Sequence, residues 1–60
     1  MKQILVKRIS EEKKQVSLIV NGLTKGCRTM ALNDDRKMLA VINMFKLKFG
    51  IKDKDIVYNF

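Results

Sequence analysis

The chain has 60 residues and a formal net charge of +7, with one cysteine and no histidine. A single cysteine excludes an internal disulfide, and without histidine one thiol cannot form a four-ligand zinc site. A domain this short buries only about 60% of the surface that its unfolded chain exposes, so we expect stabilisation by oligomerisation or by docking onto a larger protein.

The first elements of the chain are predicted to be β-strands. Residues 3–9 are rich in aliphatic and β-branched side chains, which favours a first strand. Val16, Leu18 and Val20 alternate with other residues, which predicts a second strand over residues 15–20 with one buried face.

The dipeptide Asn21-Gly22 favours a tight hairpin after the second strand, because both residues tolerate the positive φ of a type I′ turn. A third strand over residues 23–31 follows from this turn, with Gly26 as a bulge or a second bend. A basic loop over residues 22–32 is the competing interpretation, and we favour the strand.

The clearest predicted element is a helix over residues 34–49. Asn33 is a suitable N-cap and Gly50 a suitable left-handed C-cap. The charges at both ends suit the helix dipole, with acidic residues in the first turn and basic residues in the last: Asp34, Asp35, Lys46 and Lys48.

The chain closes with a polar turn over residues 52–55 and a last strand over residues 56–60, in which Ile56, Tyr58 and Phe60 share a face. Residues 1–60 therefore predict a single α+β domain in β-β-(β)-α-β order. We expect a small antiparallel sheet packed on one face by a single helix, with the last strand in its own sheet or paired with a second copy. A dimer is the expected state.

The predicted helix carries two apolar faces when its residues are placed at about 100° per step. One face is the natural core stripe, formed by Met38, Val41, Ile42, Phe45 and Phe49. Ala40, Met44 and Leu47 lie on nearly the opposite face, and Leu39 and Asn43 lie between the two faces; we call these five residues the helix strip. Scattered exposed apolar residues are normal on protein surfaces. We nevertheless interpret the strip as a protein interface, because one sheet cannot cover both sides of one helix.

The positive charge offers a second interpretation. Basic side chains cluster around the two predicted hairpins, and a field of this sign favours encounters with nucleic acid: Lys7, Arg8, Lys13, Lys14, Lys25 and Arg28. Small three-stranded sheets backed by a helix do occur as DNA readers, a resemblance at the level of architecture alone. A solvated positive surface explains the same residues.

The sequence argues against catalysis. Histidine chemistry is excluded by composition, and the carboxylates have structural roles in turns and at the helix start. The stretch Gly22 to Gly26 lacks the spacing of a phosphate loop. Cys27 lies near two cations that favour thiolate reactivity, but we favour a half-buried strand residue. We expect no enzyme activity, no cofactor, no metal and no small-molecule substrate.

Membrane association is also not expected. No apolar run approaches the roughly 20 residues that span a bilayer, and residues 1–10 lack the apolar core of a signal peptide. The helix begins with two aspartates, which disfavours interfacial binding. A lone thiol suits a reducing cytoplasm.

Two functional hypotheses follow. The first is a small regulatory protein, of the compact kind that phages and mobile elements encode, which binds and modulates or inhibits a partner protein through the helix strip. The second is a nucleic-acid-binding protein, expected as a dimer, that uses the hairpin lysines and arginines. Steep salt dependence is the property that separates the second from the first.

Overall fold

The computed structural model describes all 60 residues. It is an α+β fold in which one helix packs against a four-stranded sheet. The elements in chain order are β1 (Lys2–Arg8), β2 (Lys13–Val20), β3 (Leu23–Ala31), α1 (Asp35–Phe49), a one-turn 3₁₀ helix (Asp53–Asp55) and β4 (Ile56–Asn59). The predicted third strand is confirmed over its full length.

The sheet has the order β3-β2-β1-β4, and it is mixed. β1–β2 and β2–β3 are antiparallel as predicted, but β4 pairs with β1 in parallel, so the prediction of a wholly antiparallel sheet is wrong. The course of the helix explains why β4 runs parallel to β1, because the helix returns the chain to the end of the sheet at which β1 begins. It turns back after the short connection that follows β3 and runs about 22 Å at 1.5 Å per residue. The ammonium of Lys2 donates to the carbonyl of Phe49 at 3.2 Å, which places the helix end beside the start of β1.

The turn between β2 and β3 has the expected geometry. Asn21 and Gly22 both have positive φ, at 52° and 83°, which is the conformation that a two-residue hairpin of this hand requires. The register shifts next to this turn: Leu18 pairs with Gly26, whereas Ile19 pairs with Thr24. The extra residue that forms the bulge is therefore Lys25, one position before Gly26, where the sequence predicts a bulge or a bend.

Helix α1 begins one residue later than predicted. The side chain of Asp34, not of Asn33, caps it by accepting from the backbone N–H of Lys37 at 3.1 Å. Gly50 ends the helix in the left-handed conformation with φ of 66°, as predicted. The helix is too short and too polar to cross a membrane.

The core lies between the helix and one face of the sheet. Its ten buried hydrophobic residues come from three strands, the predicted helix stripe and the segment after the helix: Ile4, Val6, Val16, Leu18, Met30, Met38, Val41, Ile42, Phe45 and Ile51. Phe49 and Ile56 pack against this cluster and are partly buried. The other face of the sheet has no covering element.

Candidate protein-binding surface

The helix strip lies on the side of α1 that faces away from the sheet. All of its five members are exposed. Leu47 is 87% exposed, Leu39 51% and Met44 42%, whereas Ile42 and Phe45 on the opposite side are almost completely buried. The helical spacing of these residues places them next to one another, so they form a continuous surface with an apolar majority.

Unpaired cations frame this strip. The chain has only two ion pairs, Lys14–Asp35 and Lys46–Asp53, which leaves the helix cations Arg36, Lys37 and Lys48 without an acidic partner. Arg36 and Lys37 lie in the first turn, where the helix dipole disfavours positive charge by about 0.3–1 kcal/mol. The helix dipole therefore does not favour cations at these two positions.

Lys14 occupies a different environment from the one predicted. It belongs to the buried face of β2 with Val16, and it is 0% exposed. Its ammonium donates to Oδ1 of Asp35 at 2.8 Å and lies 4.9 Å from the ring centroid of Phe60. The signal for this burial is the same alternation that predicts β2, because residues two apart on a strand point to one face.

Two aromatic side chains beside the helix were not among the predicted site residues. Tyr58 pairs with the buried Val6, so it lies on the helix side of the sheet. Tyr58 is 54% exposed and Phe60 is 56% exposed, and their rings meet edge to face at a centroid distance of 6.4 Å. The prediction that Ile56 and Tyr58 share a face of the last strand is confirmed, but only Ile56 packs against the core. The sequence pattern alone does not show that β4 is a short strand at the edge of the sheet. This position, with a neighbouring strand on only one side, leaves Tyr58 exposed.

Two contacts hold the flank of the helix against the end of the chain. At the helix start, Lys14 contacts both Asp35 and Phe60. At the helix end, Lys46 pairs with Asp53, the first residue of the 3₁₀ helix that precedes β4. The start of the helix is thus linked to Phe60, which follows β4, and its end to the 3₁₀ helix that precedes β4.

The positions of Leu39 and Tyr58 follow from this arrangement. Leu39 is one helical turn beyond Asp35, about 6 Å along the axis. Tyr58 is two residues before Phe60, about 6.6 Å back along the strand. The chain direction of α1 is opposite to that of β4. Moving forward along the helix from Asp35 to Leu39 and moving backward along the strand from Phe60 to Tyr58 therefore lead away from Lys14 in the same direction. Leu39 and Tyr58 therefore lie on the same side of Lys14, and Tyr58 is on the face of the sheet that the helix covers.

The cations predicted for nucleic-acid binding are not brought together on one face. Lys7 and Lys13 lie on the uncovered face of the sheet, Lys25 lies in the bulge, and Lys14 is buried. The remaining two contact backbone carbonyls in their own neighbourhood: Arg8 donates to the carbonyls of Ser10 and Glu11 at 2.9 and 3.1 Å, and Arg28 donates to that of Cys27 at 2.8 Å.

The other candidate features of the chain are Cys27, one surface depression and the acidic side chains. Cys27 is exposed, contrary to the half-buried position that the sequence favoured, because it points to the uncovered face of the edge strand β3. A shallow open depression lies between the β1–β2 turn and the β3–α1 connection, lined by Glu11, Glu12, Lys13, Ala31, Leu32 and Asn33. No group of three acidic, cysteine or histidine side chains is arranged to hold a metal ion.

No family model, curated protein or solved structure matches this chain.

Proposed function

We propose that this chain is a non-enzymatic regulatory protein that binds and modulates a partner protein through the helix strip. The observation that carries the proposal is the exposure of Leu47, Leu39 and Met44 on one continuous surface that no other part of the chain covers. Full burial of each such side chain contributes about 1.5–3 kcal/mol. A partner that covers the strip gains much of this energy, and this small domain gains the burial that it lacks.

The setting of this function is part of the same proposal. The exposed thiol of Cys27 suits a reducing compartment such as the cytoplasm. A homodimer formed through the strip is the competing arrangement that sedimentation tests, whereas a different protein is the occupant that a regulatory role requires.

The experiment compares three immobilised proteins in a nuclease-treated cytoplasmic lysate: the parent chain, Leu47→Lys and Leu23→Lys. Leu23 is a matched control, because it is 61% exposed but lies at the start of β3, outside the strip. We expect a protein that the parent and Leu23→Lys retain at high salt and that Leu47→Lys loses. Sedimentation of each purified variant measures self-association in parallel.

The proposal fails if Leu47→Lys retains the same proteins as the parent and the parent also sediments as a monomer. Thermal unfolding of the variants serves as the folding control. We expect the same transition for all three, since both substituted positions are on the surface.

Nucleic-acid binding is the second candidate, and the uncovered sheet face favours it. One row across this face consists of Asn59, Lys7, Gln15 and Thr29, and none of the six carboxylates of the chain lies on the strand positions of this face. Anisotropy titrations on random duplex DNA at two salt concentrations test this candidate. Phosphate contacts produce a steep loss of affinity with salt, whereas binding through Leu47 changes little.

A further inference from the structure

We infer that the partner surface extends from the helix strip onto Tyr58 and Phe60, and that its occupant is an acidic protein segment with an apolar face, not a second copy of this chain. This inference rests on the proposed function, since it specifies the extent of that surface and the chemistry of its partner. It depends on the position of Leu39 and Tyr58 on the same side of Lys14 and on the charges around the strip.

The aromatic side chains give the surface its anchors. Tyrosine is enriched among the residues that dominate binding energy, as are arginines at the same interfaces. Tyr58 and Phe60 are about half exposed, so each has ring area left to bury. Phe60 is held in place by the edge-to-face contact with Tyr58 and by the ammonium of Lys14. Anchors that are ordered before binding lose less conformational entropy when a partner arrives.

The charges around the surface select an acidic partner. Arg36 and Lys37 lie at one end of the helix and Lys48 at the other, and none of them has an ion-pair partner. Of the carboxylates at the two helix ends, Asp35 and Asp53 are each paired with a lysine of the same chain, and Asp34 caps the helix by accepting from the backbone N–H of Lys37. The surface therefore presents an apolar centre between unneutralised cations, which is complementary to an apolar face flanked by carboxylates.

The same charges disfavour a second copy. A two-fold dimer brings the same patch of both chains together. If two α1 helices meet antiparallel, Arg36 and Lys37 approach Lys48 of the other copy, and if they meet parallel, each cation approaches its own equivalent. Both arrangements place like charges opposite one another, which is destabilising.

The test uses fluorescein-labelled amphipathic helical peptides and fluorescence anisotropy at physiological salt. The first peptide has a leucine and phenylalanine face flanked by glutamates. The second has the same composition in an order that scatters the apolar residues, and the third has lysine in place of every glutamate. We expect the first peptide to bind about tenfold or more tightly than the second, and the third not to bind. The parent chain should sediment as a monomer.

Variants then locate the binding site. Leu39→Lys and Tyr58→Ser should each weaken the first peptide about tenfold, because each removes apolar contact at the centre of the surface. Leu23→Lys should bind as the parent does. Leu39→Lys changes only an exposed helix position, so it remains informative if Tyr58→Ser unfolds.

Three outcomes overturn the inference. Equal binding of the first two peptides means that charge alone attracts them, and parental affinity of Leu39→Lys means that the surface lies elsewhere. A dimer that Leu39→Lys dissociates makes a second copy the occupant. In each case the proposed function is judged separately, by the Leu47-dependent capture of a protein from lysate.

Discussion

The ammonium of Lys14 lies 2.8 Å from Oδ1 of Asp35, and the two side chains differ sharply in solvent contact: that of Lys14 is 0% exposed and that of Asp35 is 72% exposed. The pair therefore has one buried charge and one solvated charge. A buried charge that loses its partner is strongly destabilising, whereas a solvated charge that loses its partner is not. The two members of this pair should respond differently to substitution.

Asp35→Ala should lower the free energy of unfolding by about 1–3 kcal/mol, because it leaves the buried ammonium of Lys14 without its acceptor. Lys14→Met should change it by less than about 1 kcal/mol or raise it, since methionine fills the space without a charge and Asp35 remains in water. Urea denaturation of both variants measures this difference. A larger loss for Lys14→Met than for Asp35→Ala would contradict the assignment of Lys14 as the buried member.

Two glycines of the same hairpin should also differ. Gly22 has φ of 83°, so Gly22→Ala should destabilise the chain by about 1 kcal/mol. Gly26 does not have positive φ, and a Cβ there would meet the ring of Phe45 at 3.8 Å, an ordinary contact. Gly26→Ala should therefore be neutral or stabilise by up to about 1 kcal/mol. Thermal unfolding of both variants tests this, and a large loss for Gly26→Ala would mean that Phe45 packs more closely than described.

The two sides of helix α1 should show opposite sensitivities to mild substitutions. Ile42→Val removes one methylene from the core and should cost about 0.5–1.5 kcal/mol. Leu47→Gln should stay within about 0.5 kcal/mol of the parent, because this side chain is almost fully exposed. Chemical denaturation of the isolated protein is the measurement. If Leu47→Gln destabilises the monomer as much as Ile42→Val, residue 47 contributes to folding and the case for the helix strip is lost.

Cys27 should react as an accessible thiol. A mild aromatic disulfide reagent should modify one equivalent in the native protein, at a rate that denaturant changes little, because the residue is exposed on an edge strand. Cys27→Ser is the negative control and should show no reaction, because it removes the single thiol of the chain. Modification that occurs only after unfolding would show that this face of the sheet is covered in solution, for instance by a second molecule.

The sequence predicts most of this fold because its signals are local. Asn21-Gly22 specifies a turn through the backbone preferences of two residues, and Gly50 specifies the end of the helix in the same way. The core side of α1 is confirmed because its pattern repeats over several turns. Each of these predictions needs only neighbouring residues.

The features that the sequence did not predict depend on distant parts of the chain. The direction of β4 depends on where the helix ends relative to β1, and the contact of Phe60 with Lys14 depends on that direction. The exposure of Tyr58 likewise follows from its place at the edge of the sheet. The functional role of the helix strip stays a prediction, since an exposed side chain alone does not identify what covers it.

The parallel pairing of β4 with β1 also affects the order of folding. It joins the first strand of the chain to the last, so it closes the longest loop in the sheet and contributes most to the contact order. The two antiparallel hairpins close shorter loops at a lower entropic cost. On a ribosome, β1–β3 are synthesised before residues 56–59, so the pairing of β4 with β1 is the last that can form. Tyr58 and Phe60 reach their places only when β4 docks, so the complete surface that we propose for the partner exists only in the fully folded chain.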